Sequence, residues 1–319
     1  SNLIVADDGL DATVLHIHTR GVTVKKATGK RVQIHAEAGE DWDEFVAHTI
    51  AQGVRGLETL SGIPGTVGAS VIQNIGAYGA DVSDTLVSID FLEYPSGERR
   101  TIPADKLELG LRTSALKRGN LRGIVLGVTF SLEPAIDGAS IPLRYEQLHR
   151  ALGVEEGERA GLAAVRESVL ALRASKGMVL SKDDPDSVSS GSFFLNPIVS
   201  EKVSRGLPAD APRWLVEPEP DDVVLPLEDK DKLPSTIAEG DVPVKVSAAW
   251  LIERAGIRKG FFLPGSKAAV SSKHSLAITN RGGATTGEIA ELARYIVTTV
   301  GNAFGIYLVP EPTLVGFEV

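Results

Sequence analysis

The chain has 319 residues, with 33 Lys and Arg against 42 Asp and Glu, a net charge of −9, and no Cys. Hydrophobic residues make up 43% and charged residues 24%, an ordinary globular balance that excludes disordered, collagen-like and coiled-coil chains. The acidic balance disfavours a general nucleic-acid or anionic-membrane surface, and the lack of Cys excludes disulfides, thiolate metal sites and a Cys nucleophile. At about 150 residues per domain the length predicts two or three domains. No stretch approaches the ~20 apolar residues of a membrane span, and no signal peptide is visible. The expectation is a monomer in the cytoplasm. Ser1 at the start and a single Met at 178 lead to the expectation of a processed or truncated product.

In chain order, Asn2 to Val5 reads as a short strand, and Ala12 to Ile17 and Arg31 to Ala36 as β-branched strands. Asp41 with Glu44 is a capping-box-like start for a helix carrying Trp42, Phe45, Val46 and Ile50 on one stripe, closed near Gly53. Val87 to Tyr94 alternates, with Val87, Ile89 and Phe91 on one side, then turns at Pro95 to Glu98 and returns through Thr101 and Ile102. Ile124 to Leu132 is a strand. Tyr145 to Leu152 and Leu162 to Ser175 read as helices. Lys182 to Ser192 is a polar loop, and Glu217 to Glu239 an acidic, exposed insertion. Ala248 to Ala255 is helical, Lys259 to Ala268 a loop and Leu276 to Thr279 a strand. Thr285 or Thr286 caps a helix to about Val300 with Ile289, Leu292, Ile296 and Val300 on one face. Phe304 to Val309 is read as the last strand. Strands and helices mix without regular βα alternation, which predicts an α+β fold.

The most unusual stretch is 62–79, Gly-Ile-Pro-Gly-Thr-Val-Gly-Ala-Ser-Val-Ile-Gln-Asn-Ile-Gly-Ala-Tyr-Gly. Glycine lets the backbone take φ > 0 and brings N–H groups close to a ligand. Successive amides make an anion-binding concavity suited to a pyrophosphate. The string matches neither G-x-G-x-x-G nor the Walker A pattern, and on pattern alone a glycine-rich turn without ligand stands beside the binding reading. The six His show no metal-ligand spacing, so no metal site is expected. Asp183, Asp184 and Asp186 read as a solvated loop rather than a cation loop.

The run Ile63 to Gly68, followed by Gln73 to Gly79, resembles the flavin loop of the UDP-N-acetylenolpyruvoylglucosamine reductase family. Three further segments agree in order. Leu111-Arg112-Thr113-Ser114 resembles the family's Tyr-Arg-x-Ser, Ser190 to Pro197 its Gly-Ser-Phe-Phe-x-Asn-Pro, and Pro310-Glu311 its terminal Pro-Glu. Lys273-His274 to Gly283 is similar to a segment of actinobacterial members. The resemblance implies a vanillyl-alcohol-oxidase/PCMH-type FAD-binding fold plus a separate α+β substrate-binding domain. The implied division is a remnant first FAD-binding subdomain at 1–12 with 309–319 returning to it, a second at 13–180, and the substrate domain at 181–308. It also implies FAD as cofactor, NADPH as electron donor, and reduction of UDP-N-acetylglucosamine enolpyruvate to UDP-N-acetylmuramate in cell-wall synthesis.

By the same resemblance Ser192 matches the proton donor, Arg112 the group that pairs with developing carboxylate charge, and Glu311 the carboxyl group beside the reacting atoms. The cofactor residues implied are Ser1, Asn2, Ile63, Pro64, Gly65, Gly68, Gln73, Asn74, Gly76, Ala77, Tyr78 and Gly79. Tyr145 and Asn196 resemble substrate-binding positions, and Lys176, which matches no single family position, is the third substrate-binding candidate because it could approach a diphosphate. Taken singly, each has a plain reading: Ser192 a loop residue, Arg112 a surface side chain, Glu311 a solvated carboxylate, Tyr145 a packed aromatic at a helix start, Asn196 a turn residue before Pro197. For Ser192, Arg112 and Glu311 the joint order favours the functional reading, with the active site expected between the second and third domains; for Tyr145 both readings stand. Ser1 to Val5 resembles the end of the family's Gly-Gly-Gly-Ser-Asn-Leu loop, with the glycines and the preceding βαβ unit absent. Leu111 stands where Tyr is frequent, Leu195 where Lys or Thr is, and Val71 where Pro is. Two rival readings remain: another flavin oxidase or dehydrogenase of the same fold, and a flavin-free UDP-sugar-binding fragment.

Overall fold

The computed structural model describes residues 2–28, 30–216 and 242–319; Ser1 and the acidic insertion expected at 217–239 lie outside the described residues. The chain forms two compact units, one of residues 12–180 and the other of residues 2–11 with 181–319. β1 (Leu3–Val5) belongs to the second unit. The first unit contains β2 (Val22–Thr28), β3 (Arg31–Glu37), α1 (Trp42–Ala51), β4 (Val54–Arg55), α2 (Val67–Gln73), β5 (Gly76–Ala77), β6 (Ala80–Asp81), β7 (Leu86–Glu93), β8 (Arg99–Pro103), β9 (Gly123–Pro134), α3 (Glu146–Leu152) and α4 (Leu162–Ser175).

Its six-stranded antiparallel sheet runs β2-β3-β9-β7-β8, with β4 paired to the end of β9. Alternation sends Ile34, Ala36, Ile89, Phe91, Val128, Phe130 and Leu132 to the face packed on α1 and α2, while His35, Asp90 and Thr129 take the other face. The aromatic centre is Trp42, Phe45 and Phe130, with ring centroids 5.3–6.1 Å apart and the Trp42 indole N–H donating to the Leu60 carbonyl at 2.9 Å. α1 starts as its sequence predicts: the Asp41 side chain accepts from the Glu44 amide.

Three expectations need correction. Residues 12–17 form no strand; Val14 and Leu15 are exposed, and the edge strand is β2 instead. A bulge between Leu86 and Ser88 shifts the register of β7, so Leu86 takes the buried position expected for Val87. The strand expected at 304–309 does not form. The last helix runs to Phe304 and ends at Gly305 in the left-handed region, φ 68. Ile306 and Leu308 are nevertheless buried, so the alternation was real while the ladder was not.

In the second unit β1 pairs in parallel with β15 (Thr313–Val315). β10 (Ile198–Ser200) leads into the short α5 (Glu201–Arg205) and lies with β11 (Arg213–Leu215) on either side of β12 (Pro243–Val246). α6 (Ala248–Arg254) follows, and β13 (Ala268–Val270) with β14 (Ile278–Asn280) makes a hairpin. α7 (Thr286–Phe304) supplies the core face through Leu292, Ala293, Ile296 and Val300, packed with Phe193, Phe194, Leu251 and Ile252. Thr285 is the cap; its side chain accepts from the Glu288 amide while the Glu288 carboxylate accepts from the Thr285 amide.

Candidate active site

In the first unit the glycine stretch is a loop, a short helix and a hairpin. Gly65, φ 123, turns the chain so that its carbonyl accepts from the Trp42 amide, and the Thr66 side chain caps α2. Gly68 lies against β3: its amide donates to the Ala38 carbonyl at 2.9 Å, and a Cβ there would sit 2.7 Å from the Ala38 methyl. Asn74 ends α2 at φ 45, donating from Nδ2 to Gly110 and accepting at Oδ1 from the Ser83 amide. β5 and β6 then form a two-residue hairpin with Tyr78 at φ 52 and Gly79 at φ 85, the type I′ signature.

A second segment clamps this loop. Arg112, itself at φ 57, donates from Nη1 to Asp81 Oδ1 (2.7 Å) and the Asn74 carbonyl (3.2 Å), and from Nη2 to the Gly76 carbonyl (2.6 Å). Ser114 Oγ donates to the Ile72 carbonyl at 2.7 Å. Lys117 Nζ donates to Gln73 Oε1 (2.7 Å) and the Arg112 carbonyl (3.3 Å). Asp43 accepts the Gly62 amide at 2.6 Å and pairs bidentately with Arg166. Burial alone would push the Asp43 carboxyl up; the Arg166 and Gly62 bonds outweigh it and hold it below its ordinary value.

The structure brings Tyr145 and Lys176 together around Tyr78. The two rings meet edge to face at 5.3 Å, the Lys176 ammonium lies 5.7 Å from the Tyr78 centroid, and it donates to Gln147 Oε1 at 2.7 Å. Arg173, one turn earlier on α4, donates to the Gly62 and Met178 carbonyls. Among the described residues neither cation has a carboxylate within ion-pair distance. Burial pushes the Lys176 ammonium down, and the neighbouring Arg173 charge adds to it; burial also raises the Tyr78 phenol. Sequence reasoning missed Arg173, Lys117 and Asp81. The available signal was Arg173 three residues before Lys176 at a helix end, a spacing that places both on one side.

In the second unit the segments that carry Ser192 and Glu311 pair through their backbones. The Glu311 amide donates to the Phe193 carbonyl at 2.8 Å and the Leu195 amide to the Val309 carbonyl at 3.0 Å, so Ser192 lies one residue beyond the Phe193–Glu311 pair. The Phe193 amide donates to the Leu276 carbonyl at 2.7 Å. Asn2 is tied to the same strip: Nδ2 donates to the Glu311 carbonyl at 3.4 Å and its own carbonyl accepts from Thr313. Asn196 Oδ1 accepts the Ala248 amide at the start of α6. Asp184 pairs with Lys273 and Asp186 with Ser272, so this acidic loop binds its own chain. Among the described residues no group of three or more His, Asp or Glu is arranged to hold a metal, and no helix is long and apolar enough to cross a membrane. A cavity of about 540 Å³ lined by His35, Glu37, Asp90 and Arg99 opens on the sheet face away from α2 and the glycine loop.

The loop offers donors to a flavin: the amides of Gly65 and Thr66 bond to no described protein group. Residues 1–102 match the family described as FAD binding domain, and the chain is an FAD-dependent oxidoreductase. Residues 184–315 match the family described as UDP-N-acetylenolpyruvoylglucosamine reductase, C-terminal domain. The reductase of that name from Leifsonia xyli is 52% identical over 100% of this chain and 86% of its own length. That from Saccharopolyspora erythraea is 47% identical over 99% of this chain and 82% of its own length. The crystal structure of the reductase from Thermus caldophilus shares the fold at 20% identity, with a TM-score of 0.57 over 98% of this chain and 82% of that one. The chain belongs to the UDP-N-acetylenolpyruvoylglucosamine reductase family, and the expected α+β flavoenzyme fold holds.

Proposed function

We infer that this protein catalyses the FAD-dependent, NADPH-driven reduction of UDP-N-acetylglucosamine enolpyruvate to UDP-N-acetylmuramate in peptidoglycan synthesis. The observation that carries the reading is the Arg173–Lys176 pair, two cations beside Tyr78 and Tyr145 with no carboxylate within ion-pair distance among the described residues. A diphosphate matches that charge and offers acceptors to both. A plain alcohol, the substrate of the rival flavin oxidase reading, brings no charge to Lys176 and leaves Arg173 with only the longer-range field of Asp43.

When bound, FAD supplies the hydride that side chains cannot carry. Reduction then needs a proton at the neighbouring carbon and donors for the enolate-like charge on the carboxylate side. Ser192 is assigned the proton: among the described residues its hydroxyl has no hydrogen-bond partner, so it is not committed elsewhere. Glu311, one residue away across the strip, is the carboxyl group that supports transfer. Arg112 carries the developing charge, its fork being better suited than a Lys. The amides of Gly65 and Thr66 and the glycines of the loop hold the flavin. Residues 13–180 form the flavin part and 181–308 the substrate part, a division supported by the passage between units at Leu180 and Ser181.

Stopped-flow absorbance tests the assignment. Ser192→Ala is expected to abolish flavin reoxidation by the UDP-sugar while flavin reduction by NADPH survives. Arg173→Met with Lys176→Met should raise the KM for the UDP-sugar at least tenfold. Equal loss of both half-reactions in Ser192→Ala would remove its role, and turnover of a simple alcohol with oxygen would transfer the chain to the rival reading.

A further inference from the structure

We propose that Asp81 is a positioning residue for the reaction: its carboxylate fixes the plane of the Arg112 guanidinium against the glycine loop. The proposal rests on the role given to Arg112 above. Asp81 faces Gly76 directly across the β5–β6 hairpin. A Cβ at Gly76 would fall on the Asp81 carboxylate and lie 2.6 Å from Arg112 Nη1, so the absent side chain is the space in which carboxylate and guanidinium meet. Gly76 has an ordinary negative φ, unlike Gly79 in the same hairpin. Its glycine character therefore answers to this close approach and not to backbone conformation.

Arg112 reaches three acceptors here, two neutral carbonyls and one carboxylate. The bond to Asp81 is charge-assisted and roughly twice as strong as a neutral one. The carbonyls of Asn74 and Gly76 hold one end each of the fork, and Asp81 decides which rotation about the guanidinium axis keeps both. The Asp81 backbone is itself anchored, because its amide donates to Asp84 Oδ2 at 2.8 Å. The Asp81 side chain is 40% exposed, so the pair adds little to global stability and acts chiefly on orientation. A guanidinium that turns out of plane presents its remaining N–H groups in the wrong direction, and a misplacement of about 1 Å costs on the order of 100-fold in rate.

The test uses the FAD-loaded enzyme. Asp81→Ala is expected to slow substrate-dependent flavin reoxidation roughly 10- to 100-fold, with flavin content, melting temperature and NADPH-dependent reduction unchanged. Asp81→Asn keeps an acceptor of the same shape without the charge and should fall between the two. It also serves if the alanine variant does not fold. The second readout is independent of turnover: ¹⁵N NMR of the guanidinium groups, with Arg112 assigned by Arg112→Lys. Distinct Arg112 Nη signals are expected in the parent enzyme and averaged ones in Asp81→Ala. Distinct signals or an unchanged reoxidation rate in Asp81→Ala, with Arg112→Ala strongly impaired, would overturn the role of Asp81 alone. An unimpaired Arg112→Ala would instead overturn the reading of Arg112, and this proposal with it.

Discussion

In the first unit the glycine loop is held by side chains reaching in from distant segments: Asp43 on the Gly62 amide, Arg173 on the Gly62 carbonyl, Arg112 on Asn74, Gly76 and Asp81, and Lys117 on Gln73. In the second unit the Ser192 strip is held by backbone bonds through Phe193, Leu195, Val309 and Glu311, and by two fully buried rings beneath it. The difference follows from the backbone each site needs. A loop that leaves amides open for a ligand has given up its own ladder, so side chains must restrain it. An extended strip can satisfy its main chain with neighbouring segments. The first site should therefore be sensitive to charge and pH, and the second to volume.

Volume is the larger effect. Phe193 and Phe194 pack at 5.0 Å between centroids and are 0% and 1% exposed. Truncating either to Ala is expected to cost about 3–5 kcal/mol in denaturant unfolding, with Ser192 chemistry lost along with the fold of its unit. A cost below ~1 kcal/mol would mean that the strip is held by its backbone bonds alone. Charge comes next. Asp43→Asn breaks the bidentate pair to Arg166 (2.6 and 2.8 Å) and weakens the Gly62 anchor, at about 2 kcal/mol. The folded-state pKa of Asp43 lies below its ordinary 3.8, so its stabilisation is present above that value and disappears as pH falls through 3.8 toward the folded pKa. The gap in unfolding free energy between parent and variant should be full at pH 6 and close in strong acid. A gap that persists there would assign the loss to packing.

Local signals were legible in the sequence wherever a residue acts on its own neighbourhood. Asp41 and Thr285 cap the helices expected of them, and Leu162 to Ser175 is the α4 helix end to end. Residues 12–17 mislead because β-branched content reports a preference for extended backbone and not the presence of a partner strand. The order of motifs named the loop, Arg112, Ser192 and Glu311, yet the partners that make Arg112 a clamp were hidden. Asp81 lies 31 residues before Arg112 and meets it only through the hairpin and the left-handed turn at Arg112, while Lys117, five residues on, reaches back to the Arg112 carbonyl. No period in the sequence carries that information.

Capping gives a smaller test of the second unit. Thr285→Ala removes the side-chain acceptor for the Glu288 amide and leaves Glu288 still able to reach the Lys267 amide at 2.8 Å. The expected cost is about 1 kcal/mol in chemical denaturation, far less than a Phe truncation in the same unit. A loss as large as that of Phe193→Ala would move the weight of this unit from its core to the N-terminus of α7.

The smallest effect is expected on the far face of the first unit's sheet, and it separates charge that serves the loop from charge that does not. His35 is 8% exposed, its Nδ1 meets Thr129 Oγ1 at 3.1 Å, and its ring lies over Gly127, where a Cβ would come within 2.5 Å. Burial pushes the imidazole pKa down, and Lys25 adds to that. Asp90 and Glu37, 3.8 and 3.9 Å from Nε2, pull the other way without restoring the ordinary value of 6.5. The unfolded chain therefore binds the proton more readily, and stability falls as pH drops below 6.5 toward the folded pKa. His35→Asn should melt with a shallower decline between pH 7.5 and 5.5 than the parent, while NADPH-dependent flavin reduction keeps the same pH profile in both. A changed profile would tie this face of the sheet to the glycine loop on the other side, and the charge at His35 would then belong to the same account as Asp43 and Arg112.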